Sequence, residues 1–85
     1  MTTGVIGVMS GAATLTYTPK CDSKVLISAS TWGNGGQVQI NGVNMIYMST
    51  TGNEAMTLYV GANQTITVTT STYMTAIVSC LEEVQ

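Results

Sequence analysis

The sequence has no histidine, no arginine and no phenylalanine, and only 7% of its residues are charged. Each absence removes a class of chemistry. Without His, a Ser, Thr or Cys nucleophile lacks its commonest general base. Two Cys without His do not make a usual metal-ligand set. Without Arg, and with Lys20 and Lys24 standing alone, there is no basic cluster to neutralise phosphates. The net charge of −2 points the same way, so nucleic acid is not an expected partner. No apolar run approaches the roughly 18 residues that span a bilayer as a helix, so no membrane partner is expected. The opening Met1 to Met9 has neither a basic flank nor a long apolar stretch, so it does not read as a secretory signal.

The few acids do not converge on a catalytic pair. Glu82 and Glu83 are adjacent, and on a strand adjacent side chains point to opposite faces. Asp22 and Glu54 are the only other carboxylates. Paired-carboxylate chemistry needs two acids facing one cleft, and nothing in their spacing brings them there. Gly4 to Gly11 is rich in glycine but lacks the Gly-Lys-Ser/Thr ending of a phosphate loop. No enzymatic activity, no cofactor and no metal are expected. Asn63-Gln64-Thr65 matches a glycosylation acceptor, a short pattern that arises readily by chance.

What replaces charge is Thr, Ser, Asn, Gln and Gly in short alternating runs, with 45% of residues apolar. An ordinary soluble domain carries about 25% charged residues. A chain of 85 residues is one small domain with a marginal core of its own. Low ionic repulsion and a small core together predict burial of surface against other copies or partners. Cys21 and Cys80 either close the domain in a disulfide or are buried thiols. With no export signal, thiols are the expectation.

No window reads as an amphipathic helix, whereas strand signals recur. Leu15 to Thr18 alternates and ends at Pro19. Lys24 to Ser30 follows, then a loop from Thr31 to Gly36 containing Trp32. Gln37 to Ile40 and Val43 to Met48 flank Asn41-Gly42, the strongest short-range signal for a two-residue hairpin. Ser49 to Asn53 is a polar turn. Met56 to Val60, Gln64 to Thr70 and Met74 to Leu81 complete the set. Six to seven strands at this spacing predict an all-β fold, a small antiparallel β-sandwich or jelly-roll-like barrel. The expected core is Leu15, Tyr17, Val25, Ile27, Val38, Ile40, Val43, Leu58, Val60, Ile66, Val68, Ala76, Val78 and Cys80.

Residues 14–85 are the expected domain, and residues 1–13 an N-terminal arm whose Val5, Ile6 and Met9 order against a neighbour. Trp32, beside the Gly-Asn-Gly-Gly loop, either caps the core or anchors a partner. Strand 43–48 carries Val43, Met45 and Tyr47 on one face and Ile46 and Met48 on the other. Apolar residues on both faces predict a strand buried on both, with Met45 and Tyr47 in an inter-subunit contact.

Lys24 to Ser30, Val38 to Val43 and Leu58 to Val68, with Ser79 to Val84 at the end, resemble small β-domain virion proteins of tailed bacteriophages. The likeness covers residues 24–83. It implies a virion structural protein without enzymatic activity or cofactor, a symmetric homo-oligomer, commonly a trimer, and assembly in the host cytoplasm. Two roles follow as expectations. One is a head decoration (cement) protein holding neighbouring capsomers of the major capsid protein together. The other is a fibre or spike tip that binds a host receptor through loops 31–36 and 49–54, with Trp32, Asn34 and Asn53 in contact.

Overall fold

The computed structural model describes residues 3–84. Eight strands run in chain order: β1 (Gly4–Ser10), β2 (Ala13–Tyr17), β3 (Asp22–Thr31), β4 (Gly36–Ile40), β5 (Val43–Met48), β6 (Gly52–Val60), β7 (Ile66–Thr70) and β8 (Met74–Val84). They form two four-stranded sheets, ordered β1-β8-β3-β6 and β2-β7-β4-β5. Every pairing is antiparallel. The all-β architecture is the one the alternating sequence predicts, with one strand more than expected.

The additional strand is β1, and it corrects the reading of residues 1–13 as an arm. Gly4 to Ser10 pairs with Cys80 to Thr75 on the edge of the first sheet, with a register shift between Val5 and Gly7. Glycines at 4, 7 and 11 hid the alternation. Once paired, Met9 turns inward and is buried, and Ile6 packs against the core. Met9 is therefore not available to a neighbour, and Ile6 only in part. Val5 stays outside, 66% exposed. Met1 and Thr2 lie outside the described residues.

The core lies between the sheets and is built by strict alternation. In β3, Val25, Ile27 and Ala29 face inward and are buried, while Lys24, Leu26, Ser28 and Ser30 face out. In β8, Met74, Ala76, Val78 and Cys80 do the same. The longest strands, β3 and β8, have 10 and 11 residues. At about 3.3 Å per residue they set the long dimension of the 41 × 20 × 16 Å molecule. Most expected core residues are buried, and Leu15, Tyr17 and Leu58 pack against the core from its margin. Val43 is the exception. It is 59% exposed, because Ile46 and Met48 take the inward positions of β5. Met9, Ala29, Ile46, Met48 and Met74 complete the buried set.

The Asn41-Gly42 hairpin forms as the sequence predicts. Ile40 pairs with Val43, and both turn residues have positive φ, 52° and 82°. The Asn41 side chain also accepts a bond from the Thr67 amide at 2.9 Å, tying the turn to β7. Cys21 and Cys80 are not joined in a disulfide.

Buried hydroxyls fasten loops to the sandwich. The Thr31 hydroxyl donates to the Thr50 carbonyl at 2.7 Å, and the Thr70 hydroxyl to the Gly11 carbonyl at 2.7 Å. Thr70 is buried, so Thr70→Val keeps its shape but leaves the Gly11 carbonyl without this partner. Urea denaturation is expected to show a loss of about 1–3 kcal/mol, whereas a change below a few tenths would show that the bond does not hold the β1–β2 turn.

Candidate functional site

The two outer faces of the sandwich differ in chemistry. On the β2-β7-β4-β5 sheet, register sets Thr14 beside Thr69, Thr16 beside Thr67, Gln39 beside Asn44 and Gln37 beside Tyr47. Thr18 and Thr65 share a hydrogen bond of 2.7 Å, and the Gln39 amide donates to Asn44 Oδ1 at 2.9 Å. This is a neutral hydroxyl and amide surface, solvated except where β5 lines it with apolar side chains.

The outer face of the β1-β8-β3-β6 sheet is more apolar. Register places Val8, Ile77, Ser28 and Ala55 in one row across the four strands, and Val5, Ser79, Leu26 and Thr57 in the next. Val8 is 68% exposed, and Ile77, Leu81 and Tyr59 are exposed too. Its charges are confined to one end, where Lys24 stands between Glu82 and Tyr59, whereas Glu54, level with the buried Ala29, lies on the other side of β6. A monomer seldom leaves a large contiguous apolar patch uncovered unless something binds there.

Strand β5 corrects the expectation of burial on both faces. It is the edge strand of its sheet, so only Ile46 and Met48 are covered, while Val43, Met45 and Tyr47 point outward. Tyr47 is 65% exposed. Trp32 is also exposed rather than capping the core, and its amide donates to the Tyr73 carbonyl at 3.0 Å. Asn53 does not face a loop cleft. It pairs with Ser30 at the end of the β3–β6 ladder. The expected interface residues are thus divided between surfaces: Val5 on one outer face, Met45 and Tyr47 on the other, Trp32 at the end.

That end carries a cleft of about 340 Å³ lined by Asn34, Gly35, Gly36, Gln37, Tyr47, Met48, Ser71, Thr72 and Tyr73. Its floor is tight. Ser71 Oγ accepts from the Gln37 amide at 3.0 Å, and a β-carbon on Gly36 would lie 2.6 Å from that oxygen. No charged side chain lines it. Tyr73 has φ 62°, and among the described non-glycine residues only Asn41 and Asn63 share a positive φ. Asn tolerates that region, whereas a bulky aromatic there is strained by about 1–3 kcal/mol.

The opposite end holds a second cleft of about 350 Å³, lined among others by Ile6, Tyr17, Lys20, Cys80 and Glu83. Burial raises the pKa of the Tyr17 phenol above its ordinary value, and Cys80 and Glu83 add to the rise while Ser23 opposes it. The neutral phenol is the form the fold favours. Its contribution is complete below pH 10 and is lost as pH climbs through the raised value. Stability is therefore expected to fall above pH 10, and less steeply in Tyr17→Phe, when urea midpoints are compared from pH 8 upward. Equal slopes in the two proteins would exclude Tyr17 as a source of the alkaline loss.

The fold does not bring Asp22 and Glu54 together. Asp22 is level with Val84 and Glu54 with Ala29, seven steps along β3 and so roughly 23 Å apart. Among the described residues no group of His, Cys, Asp or Glu is placed to hold a metal, and no helix is long and apolar enough to cross a membrane. In comparisons with known proteins, no family model, no curated protein and no solved structure matches this chain.

Proposed function

We propose that this chain is a structural protein of a virus particle, a head decoration protein of a tailed bacteriophage that acts as a symmetric homo-oligomer, a trimer by its resemblance, on the lattice of the major capsid protein. The observation that carries the reading is the outer face of β1-β8-β3-β6, where Val5, Val8 and Ile77 adjoin outside the core. Seated on a neighbour, that face removes apolar surface from water. The Thr-rich face of the other sheet is left to solvent. The scarcity of charge supports the same reading, since little repulsion opposes close packing of copies.

Such a protein works mechanically. It adds apolar burial and strand-edge hydrogen bonds across capsomer seams, and by linkage it stabilises the state of the lattice that it binds. The test compares particles with and without the protein for release of DNA on heating or osmotic shock. Stripped particles are expected to release DNA earlier, and purified protein added back is expected to restore resistance. Equal resistance of stripped and intact particles would refute the proposal.

A further inference from the structure

The cleft between the β3–β4 connection, the start of β4, the end of β5 and the β7–β8 connection is built like a shallow ligand site. We propose that it binds a neutral saccharide, with the sugar ring packed against the exposed rings of Tyr47 and Tyr73. This goes beyond the assembly reading and uses a different part of the surface.

The chemistry of the lining selects the ligand class. Tyr47 and Tyr73 are both exposed large side chains, and each brings an apolar ring with a polar tip. Asn34, Gln37 and Thr72 supply amide and hydroxyl groups that both donate and accept. Each sugar hydroxyl likewise both donates and accepts, so it pairs with such groups in either sense. No charged side chain lines the cleft, and Lys20 and Lys24 lie at the other end of β3. An anionic ligand would have no counter-charge. A fully apolar ligand would strip water from the amides without replacing their bonds. The volume of about 340 Å³ is near the lower end of ligand sites, room for one or two sugar rings.

The backbone supports the assignment independently. Residue 73 takes a conformation that glycine or asparagine would adopt with less strain, and a tyrosine stands there instead. A conformation held against strain is found where function fixes the side chain. The Trp32 amide bond to the Tyr73 carbonyl and the Gln37 amide bond to Ser71 hold both sides of the cleft in place. The site is therefore formed before any ligand arrives.

The experiment uses the intact, isotope-labelled protein titrated with glucose, galactose, N-acetylglucosamine and their β-linked disaccharides, followed by amide chemical shifts. At least one probe is expected to give saturable shifts at Asn34, Gln37, Tyr47, Thr72 and Tyr73, at concentrations up to roughly 0.1 M, well past a millimolar dissociation constant. Tyr47→Ala is expected to weaken that binding by about tenfold or more. Tyr73→Gly is expected to abolish it while raising the thermal midpoint, because glycine relieves the strain as the ring is lost. No saturable shift with any probe would overturn the proposal. So would shifts centred elsewhere, unchanged affinity in Tyr47→Ala, or preference for an anionic sugar such as glucuronate. Particle stabilisation is a separate readout, so either proposal can fail without the other.

Discussion

Gly35→Ala is expected to cost the fold about 2–5 kcal/mol, an effect out of proportion to a single methyl group. Gly35 has φ +79°, a region that costs an L-residue about 1–2 kcal/mol. The added β-carbon would lie 2.3 Å from the Met48 carbonyl oxygen and 2.7 Å from both Ser49 C and Thr50 N. These are backbone atoms and cannot rotate aside. They are also held, because the Thr50 carbonyl accepts the buried Thr31 hydroxyl. Overpacking of this kind costs about 1–3 kcal/mol more. A chain of this length has a total stability of roughly 4–13 kcal/mol, so the combined loss consumes much of it. Gly42→Ala provides the contrast. Its φ is +82°, but a β-carbon there meets nothing within 4 Å, so only the conformational cost of about 1 kcal/mol applies. Urea denaturation of the two variants separates strain from collision. Equal, small losses would show that the β3–β4 loop and the β5–β6 turn can move apart.

The contrast also shows which parts of the fold are legible in the sequence. Asn41-Gly42 announces its turn because the φ requirement is local and two residue types meet it cheaply. The alternation of Lys24 to Ser30 announces β3, because a period of two fixes both faces at once. Gly35 sits in a loop that composition marks plainly, yet its tight contact is with Met48 and Ser49, distant in sequence. Strand β1 is obscured by its glycines and by the register shift after Val5. It is visible only once β8 offers an unpaired edge. Val43 is misplaced because hydrophobicity on both sides of a strand does not say which side is covered. The sheet order, with β5 at an edge, decides that.

The cleft is the least legible part of all. Trp32 draws attention as the only Trp and the neighbour of a glycine loop. The cleft itself is lined by Tyr47 and Tyr73, from β5 and the β7–β8 connection. Nothing in the sequence brings those tyrosines together. They meet because β4 pairs with β5 on one side and β7 on the other, which sets the ends of all three strands side by side. Positive φ at Tyr73 is likewise a property of the folded chain, since aromatic residues carry no preference for it.

The double variant Val8→Lys with Ile77→Glu is expected to convert an associated protein into a solitary folded one. Val8 and Ile77 are direct cross-strand partners on the outer face of β1-β8-β3-β6, so neither contributes to the core. Opposite charges at such a pair attract weakly, by about 0.2–1 kcal/mol, and the net charge of −2 is unchanged. The fold should therefore survive. Association should not. The exposed parts of Val5, Val8, Ile77 and Leu81 amount to an apolar area on the order of 400 Å² per copy, a size at which such patches are often functional. Covering it is worth roughly 10 kcal/mol per copy, comparable with the 4–15 kcal/mol entropic cost of joining two molecules. Two charges within it replace that gain with a desolvation penalty of several kcal/mol per ion. Sedimentation of the unaltered protein is expected to show an oligomer, with a thermal midpoint that rises with protein concentration. The variant is expected to sediment as one copy, with a midpoint independent of concentration and an unchanged circular dichroism spectrum. Persistent association of the variant would move the contact to another face. A single, concentration-independent species for the unaltered protein, with no affinity for particles, would remove the assembly reading altogether.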